Sequence, residues 1–386
     1  MSEEKLVPKL RFSGFDDEWN EVKLGDISTF LDNKRIPLKE DDRKQIKGEY
    51  PYYGASGIID YVNDYIFDEE LILMGEDGAN IVTRSSKLIF LAKGKYWVNN
   101  HAHVIKADNN INQYFLSESL ERINYEKYNT GTAQPKLNRE VCQKIKVKIP
   151  QFNEQNKIAN FLLVIDEKLR LLEQKYQYYQ NFKKYLMQQI FTQKLRFTDY
   201  IEEWKTIKLK DVGEINTGNT PSTKVNEYYS PKKYLWVTPS DISSKYIFDT
   251  AKRLSDEGAK KGRFVKKNSV LVTCIASIGK NCIILEDGYF NQQINSITPS
   301  QSFDLDFIYY LIDYNSEKMK NYAGITATPI LNKKSFENMK FEFPSFDEQK
   351  QISNMLSNID NKIFAIEELI NKTQKFKKGL LQQMFV

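Results

Sequence analysis

One sequence pattern occurs twice in this chain, and the repeat constrains the fold more than any other feature. The stretch TAQPKLNREVCQKIKVKIPQFNEQNKIANFLLVIDEKL at 132–169 returns as TATPILNKKSFENMKFEFPSFDEQKQISNMLSNIDNKI at 326–363. An earlier stretch, RFSGFDDEWNEVKLGDI at 11–27, returns as RFTDYIEEWKTIKLKDV at 196–212. The segments between them, about 28–129 and 213–323, share little beyond strand-like patterning. The sequence therefore predicts two units with a common frame and different contents.

Each repeat ends in a long run with the period of a helix seam. Apolar side chains are spaced alternately four and three residues apart, and Lys183 and Lys377 occupy the same polar slot in the two copies. Two helices of about 40 residues are predicted, each about 60 Å long. The predicted seam consists of Ile158, Leu162, Ile165, Leu169, Leu172, Tyr176, Tyr179 and Leu186 in the first helix and Ile352, Leu356, Ile359, Ile363, Ile366, Ile370 and Leu380 in the second.

Prolines mark where the two helices start. Pro150 and Pro344 lie just before the periodic runs, and Asn153 and Asp347 are of residue types that cap helix N-termini. One such seam could pack on a globular domain, but two matching seams in one chain favour packing against each other.

The order of the repeats is circular. The chain resumes KLRF at Lys194 just as it begins near Lys9 with KLRF, so joining its two ends would reproduce the internal junction. We expect an α+β fold with two globular mixed α/β domains joined by two long antiparallel coiled-coil helices with pseudo-two-fold, circular symmetry. The expected boundaries are 1–150 and 194–343 for the domains and 151–193 and 344–386 for the helices.

Composition indicates an ordinary globular protein. Of the 386 residues, 41% are hydrophobic and 28% charged, and no apolar run approaches the roughly 20 residues of a membrane span. The start, MSEEKLVPKL, has acids where a secretory signal has basic residues, so we expect a cytoplasmic protein. Three cysteines without a CxxC pair and two histidines argue against a disulfide framework or a zinc site. The net charge of +5 suits nucleic acid but is weak support alone.

Motifs for catalysis are missing from the sequence. CIASIGKN at 274–281 resembles a phosphate-binding P-loop, but Cys274 replaces the first glycine and Asn281 replaces the magnesium-binding Ser or Thr. There is no Asn-Pro-Pro-aromatic signature of an amino-methyltransferase and no carboxylate and lysine cluster at nuclease spacing. We therefore expect no catalytic residue, no metal site and no cofactor bound by this chain. Ser277 and Lys280 remain candidates for contacting nucleic acid.

Two pairs of polar segments are the candidates for recognition. WVNNHAH at 97–103 matches YFNQQIN at 289–295, and GTAQPKLN at 131–138 matches GITATPILNKK at 324–334. Side-chain amides can bond adenine bidentately, while His, Lys and Thr can meet guanine or phosphate. The alternative is that these groups satisfy loop backbone and helix-start turns. The candidates are Asn99, Asn100, His101, His103, Thr132, Gln134, Lys136, Asn291, Gln292, Gln293, Asn295, Thr326, Thr328 and Lys333.

Several of these stretches carry a family resemblance. The helix starts PQFNEQNKIANFL and PSFDEQKQISNML, together with YYGASGIIDYV, WVNNHAH and the terminal QQMF, resemble the specificity subunit of type I restriction-modification systems over nearly the whole chain. The resemblance implies a subunit without catalysis, in which two target-recognition domains each read half of a split double-stranded DNA site. It implies that the helices set the unread spacer and bind two methyltransferase subunits.

The same resemblance assigns the chemistry to partners. The methyltransferase subunits would use S-adenosylmethionine to methylate adenine, and restriction and translocase subunits would use ATP and magnesium. No membrane partner is implied. Two other interpretations remain open at this point: a single-chain restriction or methyltransferase accessory enzyme with an unrecognised active site, and a purely structural coiled-coil protein.

Overall fold

The chain divides into two compact units. The computed structural model describes residues 6–131, 134–323 and 329–386. Unit 1 combines the described residues up to Leu172 with Leu369–Val386, and unit 2 is Glu173–Glu368. Each unit therefore contains the beginning of one long helix and the end of the other, which is the circular order predicted from the repeat.

Unit 1 is built from short strands and helices followed by one long helix. The strands are β1 (Asn20–Lys23), β2 (Ser28–Phe30), β3 (Lys47–Gly54), β4 (Gly57–Val62), β5 (Phe67–Asp68), β6 (Leu71–Gly75), β7 (Ile89–Ala92), β8 (Lys95–Val98), β9 (Ala102–Ala107) and β10 (Lys146–Ile149). The helices are α1 (Glu40–Gln45), α2 (Asn80–Thr83), α3 (Gln113–Glu121), α4 (Arg139–Gln143) and α5 (Phe152–Phe191), which continues into unit 2.

Unit 2 repeats this order. Its strands are β11 (Lys205–Lys208), β12 (Gly213–Thr217), β13 (Tyr234–Val237), β14 (Tyr246–Ile247), β15 (Arg253–Leu254), β16 (Arg263–Val265), β17 (Ser269–Thr273), β18 (Asn281–Ile284), β19 (Gly288–Phe290), β20 (Ile294–Pro299) and β21 (Lys340–Phe343). The helices are α6 (Leu209–Val212), α7 (Asp256–Ala259), α8 (Leu305–Tyr314), α9 (Ser316–Tyr322), α10 (Lys333–Glu337) and α11 (Phe346–Met384), which continues into unit 1. Short 3-10 turns lie at Leu24–Asp26, Asp32–Lys34, Glu126–Tyr128 and Asn226–Tyr228.

The strands form matching sheets in the two units. In unit 1, the described strands pair in the orders β2-β9-β6-β7, β4-β3-β8-β5 and β1-β10; in unit 2, the orders are β12-β20-β17-β18-β14, β15-β13-β19-β16 and β11-β21. The parallel pair β3 and β8 aligns Tyr53 with Val98, and its counterpart β13 and β19 aligns Val237 with Phe290. The mixed α/β fold class predicted from the sequence is therefore confirmed, and the sheet orders of the described strands match except that β14 adds a fifth strand to the first sheet of unit 2.

The two long helices follow the predicted seam. Within unit 1, the beginning of α5 and the end of α11 contribute to one apolar core; within unit 2, the end of α5 and the beginning of α11 contribute to another, so the helices run antiparallel in each. Every predicted seam residue is buried or half-buried. Ile158, Leu162, Ile165, Leu186, Ile352, Leu356, Ile359, Ile366 and Leu380 are buried, and Leu169, Leu172, Tyr176, Tyr179, Ile363 and Ile370 are half-buried.

The polar slots of the seam hold reciprocal ion pairs. In unit 1, Lys377 Nζ lies 2.6 Å from Asp166 Oδ1, and in unit 2, Lys183 Nζ lies 2.7 Å from Asp360 Oδ1. Each aspartate also accepts a hydrogen bond from a domain tyrosine at 2.5 Å, from Tyr114 and Tyr310 respectively. A single polar residue in an apolar seam can fix helix register. The repeated slot therefore ties each helix pair to its own globular domain.

The Glu-Gln pair at the start of each long helix is explained by long-range contacts. Glu154 binds Arg11 with two bonds of 2.8 Å, and Glu348 binds Arg196 with bonds of 2.9 and 2.8 Å. The next residue, Gln155 or Gln349, donates to the proline carbonyl at 3.0 Å and accepts a backbone N–H at 2.9 or 3.0 Å from the residue just before α3 or α8. The motif therefore joins three elements of each unit.

The cap prediction was wrong by two positions. Because α5 begins at Phe152 and α11 at Phe346, Asn153 and Asp347 lie in the first turn of their helices. There the carboxylate of Asp347 interacts favourably with the helix dipole. The residue just before α11 is Ser345, whose Oγ accepts from Glu348 N at 3.4 Å. In the part of the chain that the structure describes, no helix is long and apolar enough to cross a membrane.

Candidate nucleic-acid interface

Three loops meet at one end of the sheets in each unit. We call them loop A (76–78 and 274–276), loop B (99–101 and 291–293) and loop C (described residues 134–137 and 329–331), and together the loop cluster. Loop A follows β6 or β17, loop B joins β8 to β9 or β19 to β20, and loop C precedes α4 or α10. The two polar segments identified in each repeat therefore lie side by side in space.

The same backbone hydrogen bonds hold the loop cluster in both units. Glu76 N donates to His101 O at 2.9 Å, as Cys274 N does to Gln293 O at 2.7 Å. The carbonyl of the same loop A residue, Glu76 or Cys274, then accepts a bond of 2.8 Å from a leucine of loop C. The frame of the loop cluster is thus repeated although its side chains are not.

Loop A adopts a left-handed conformation at the same position in the two units. The residue is Gly78 with φ of +106° in unit 1 and Ala276 with φ of +61° in unit 2. Their N–H groups donate to Pro135 O at 3.0 Å and Pro329 O at 3.1 Å. A side chain in this region is strained, and such strain is typical of functional loops. The alanine is held there by the bond to loop C.

Asn99 and Asn291 are buried and shape loop B. The Oδ1 of each accepts the backbone N–H two residues later, from His101 at 2.8 Å and from Gln293 at 3.0 Å. Their own N–H groups donate 3.0 Å bonds to Tyr53 O and Val237 O on the neighbouring strand. Both side-chain amides therefore form hydrogen bonds with the loop backbone, which favours a structural role over contact with a base.

His103 is buried in a charged network. Its Nδ1 lies 2.7 Å from Asp32 Oδ2 and its Nε2 lies 2.7 Å from Leu137 O, so both ring nitrogens face acceptors and the ring carries both protons. Burial is the largest single effect and disfavours the charged ring, but the hydrogen bonds and charges of Asp32 and Cys142 together outweigh it and raise the pKa of His103 from 6.5 to about 10. Burial also disfavours the ionised Asp32, but the bond and charge of His103, the backbone N–H of Val104 and the charge of Arg35 together lower its pKa. Glu76, at 3.7 Å from Nδ1, links the pair to Arg35 at 2.7 Å.

Unit 2 fills the same positions with neutral groups. Asn295 takes the place of His103, and its Oδ1 accepts from Thr217 Oγ1 at 2.6 Å while its Nδ2 lies 3.2 Å from Cys274 Sγ. Burial raises the pKa of the Cys274 thiol to about 12, so it is protonated at neutral pH. Both networks lie beneath the loop cluster and determine how loops A and B are held.

The exposed side chains of the loop cluster differ between the units. In unit 1, Asn100, Gln134 and Lys136 are exposed; the Asn100 amide makes no hydrogen bond with a described residue, and Lys136 Nζ lies 3.4 Å from Glu76. His101 is exposed and uses Nδ1 toward Asp77 at 2.7 Å, which leaves Nε2 without a partner among the described residues. In unit 2, Gln292 is exposed and accepts from Thr220, and Gln293 is half-buried. The outward groups can act on base edges or phosphates.

The remaining candidates border the loop cluster or lie outside the described residues. Ser277 and Lys280 are exposed in the turn after loop A, where Lys280 Nζ reaches Pro239 O at 3.4 Å. Lys333 begins α10 and pairs with Glu337 at 3.5 Å. Thr132, Thr326 and Thr328 lie outside the described residues. Among the residues described, no group of His, Cys, Asp and Glu is arranged to hold a metal ion.

The supporting acids were missed in the sequence. Asp32 and Glu76 in unit 1 correspond in place to Thr217 and Cys274 in unit 2, and both contact the His103 or Asn295 position. Laying the repeats together would have shown charged residues at all three positions of one copy and uncharged residues in the other. That coordinated difference was the available signal.

Comparisons with known proteins agree with this architecture. The family model for the type I restriction modification DNA specificity domain matches residues 16–178 and 201–375. An inferred type I restriction enzyme specificity subunit of Haemophilus influenzae is 26% identical over 383 residues, covering 92% of this chain and 90% of its own. The MjaVIII type I restriction enzyme specificity subunit of Methanocaldococcus jannaschii is 23% identical over 400 residues, covering 95% and 91%.

A solved structure has the same fold. The S subunit of the type I restriction-modification system from M. genitalium superposes with a TM-score of 0.68 at 15% identity, covering 98% of this chain and 99% of its own. At this identity the likeness concerns the fold alone. The first matched stretch lies in unit 1 except for 173–178, the second lies in unit 2 except for 369–375, and each contains the described residues of one loop cluster.

Proposed function

The chain belongs to the family of type I restriction modification DNA specificity domains, and we propose that it is the specificity subunit of such a system, in which each unit reads one half of a bipartite, asymmetric site on double-stranded DNA. The observation that carries the proposal is the loop cluster: its backbone bonds are the same in both units, whereas its exposed side chains differ. One frame then presents two different readers, and unlike readers require unlike half-sites.

The chemistry of modification is proposed to lie in partner subunits. A recognition subunit has to bind and orient DNA, and the outward amides, imidazole and lysines of the loop clusters are suited to that task. Methyltransferase subunits would flip and methylate an adenine with S-adenosylmethionine, and restriction and translocase subunits would use ATP and magnesium. We place the complex in the cytoplasm.

The long helices are proposed to set the spacer and to bind two methyltransferase subunits. On α5, Tyr178 and Tyr185 are seven residues apart and are 63% and 56% exposed. The ring of Tyr178 stacks on Phe182 with centroids 6.1 Å apart. Aromatic residues are enriched at protein interfaces, and apolar side chains that cluster on an exposed surface mark interaction sites. This face of α5 is therefore a docking candidate.

Changing Tyr178 and Tyr185 to serine is expected to weaken the affinity for the methyltransferase subunit at least about tenfold, because buried aromatic anchors dominate interface energies. Binding of the purified variant to the methyltransferase subunit, measured by calorimetry, checks this. Phe248→Ser is the matched control, since Phe248 is 69% exposed in unit 2 but lies away from α5 in sequence. Equal affinities for all three proteins would place the docking surface elsewhere.

Replacing Lys136 or Lys333 with alanine is expected to weaken binding to all DNA sequences and to reduce the salt slope of log Kd by about one per lost phosphate contact. Filter binding at several salt concentrations measures both quantities. Lys146→Ala serves as the control, because Lys146 is exposed and paired with Glu21 on the β1-β10 sheet. An altered base preference at an unchanged slope would make these lysines base readers instead.

Selection from a random DNA pool tests the function itself. The purified chain, in complex with its methyltransferase subunits, is expected to enrich two short, different motifs separated by a gap of fixed length and free sequence. Enrichment of one continuous motif, or of none, would contradict the proposal and favour an accessory enzyme or a structural role.

A further inference from the structure

A hairpin beside the loop cluster of unit 1 exposes apolar residues. Ile58 and Ile59 on β4 are 46% and 53% exposed, although an isoleucine pair suits a buried strand. The β3-β4 pairing shifts register between Tyr52 and Tyr53, which leaves Ile59 without a direct partner, as in a β-bulge. Bulges redirect side chains and occur near functional sites. The bulge therefore changes the direction in which the Ile59 side chain points.

Close packing fixes the hairpin against the loop cluster. A Cβ added at Gly54 would lie 3.2 Å from Ile59 and 3.5 Å from Asn99 Nδ2, and one at Gly75 would lie 2.6 Å from the carbonyl of Ala55 in the hairpin turn. Glycines therefore permit the approach of loop A, loop B and the hairpin. The position of Ile59 relative to Asn99 is set by this contact.

Ile59 forms one wall of an open groove. The groove has a volume of about 410 Å³, and its other walls include Lys39, Arg43, Asn99, Asn100 and His101. Arg43 is held by Asp60 at 3.0 Å and by the Leu38 carbonyl at 2.9 Å, whereas Lys39 makes no ion pair with a described residue. Ile58, with similar exposure, does not line this groove among the described residues.

The chemistry of the groove matches one edge of a base pair. An A·T pair presents the thymine C5-methyl in the major groove beside hydrogen-bonding groups of adenine, and apolar side chains discriminate by contact with that methyl. The exposed Asn100 amide and the free Nε2 of His101 supply the polar partners, and Lys39 supplies a cation for the phosphates. A groove with one apolar wall, a side-chain amide and a cation is better suited to bind DNA than to bind the apolar surface of another protein.

Resting on the proposed function, we infer that Ile59 determines specificity in unit 1 by contacting the C5-methyl of a thymine in the half-site that this unit reads. Unit 2 differs at the matching place. After Val237 the chain forms a polar turn, in which Thr238 N and Oγ1 donate to Asp241 Oδ2 at 2.8 and 2.6 Å. The strand in the place of β4 is β15, Arg253–Leu254, which carries no isoleucine. The thymine contact therefore belongs to one half-site only.

Thymine-to-deoxyuridine substitution tests the inference, because it removes only the methyl group. Each thymine of the selected site is replaced in turn, and binding is measured for the wild-type complex and for its Ile59→Ala and Ile58→Ala variants. At one thymine of one half-site, deoxyuridine is expected to weaken wild-type binding about three- to fivefold, the effect of one buried methyl. The loss is expected to persist in Ile58→Ala and to vanish in Ile59→Ala.

Other outcomes overturn the inference without touching the proposed function. If the complex binds a bipartite site but no deoxyuridine weakens binding, or if the loss persists in Ile59→Ala, Ile59 does not read a thymine methyl. If the loss vanishes in Ile58→Ala instead, the assignment to the groove is wrong. A complex that selects no bipartite site contradicts the proposed function itself. For base changes in the other half-site, the variants are expected to lose the same binding affinity as the wild type, which shows that they are folded.

Discussion

Glu348→Ala is expected to lower the free energy of unfolding of unit 2 by about 2–4 kcal/mol, because it leaves the Arg196 guanidinium without its carboxylate. Glu348 is buried and accepts two bonds from Arg196 and one from Trp204 Nε1 at 3.3 Å. The side chain of Arg196 is 21% exposed, so water still hydrates the guanidinium, and the loss of stability is smaller than for a fully buried charge.

Hydrogen exchange of the whole chain can assign this loss to unit 2. Glu348→Gln is the matched variant, since it preserves the volume and one acceptor oxygen, and a smaller loss is expected. Glu154→Ala should produce the equivalent loss in unit 1, where Arg11 binds Glu154 at 2.8 Å. Exchange rates in unit 2 that do not change in Glu348→Ala would show that the Arg-Glu pair is dispensable for the frame.

Between pH 6.5 and about 9, unit 1 is expected to lose stability as the pH rises, whereas unit 2 contains no histidine that could cause this loss. Burial lowers the pKa of His103, but Asp32 and Cys142 together raise it from 6.5 to about 10 in the folded chain. Because this pKa is raised, the stabilisation of the fold by protonated His103 is complete below pH 6.5 and is lost as the pH rises through about 10. Within that window the loss approaches about 1.4 kcal/mol per pH unit.

The double variant Asp32→Thr with His103→Asn provides the control, because it copies Thr217 and Asn295 of unit 2. Urea unfolding of the wild type and the variant at several pH values from neutral to 9 measures the difference. The wild type should lose more stability than the variant as pH rises. Parallel pH profiles would mean that His103 is neutral in the folded chain.

The long helices were predictable because their information is local. The seam from Ile158 to Ile190 and the prolines before each run determine the helix extents to within a residue or two. The cap was misplaced because Asn153 and Asp347 also suit the first turn of a helix. The motif residues Glu154 and Gln155 were visible as repeats, but their partners Arg11 and Asn112 lie more than 40 residues away in the chain.

The loop cluster was predictable in place but not in detail. Matching WVNNHAH with YFNQQIN located loop B in both units, since the repeat preserves the frame. Which side chains point inward depends on alternation at a strand end, and so the inward Asn99 and His103 could not be separated from the outward Asn100 and His101. The role of Ile59 was hidden because a register shift in the hairpin, rather than the sequence period, directs it.

The central claim, one half-site per unit, is tested most directly by sequencing methylated adenine in cells that express the chain with its methyltransferase subunits. The wild type is compared with Asn100→Ala/His101→Ala in unit 1 and with Gln292→Ala/Gln293→Ala in unit 2. We predict a bipartite wild-type motif in which each variant relaxes one half, and the two variants relax different halves. Relaxation of the same half by both variants, or of both halves by either one, would contradict the account.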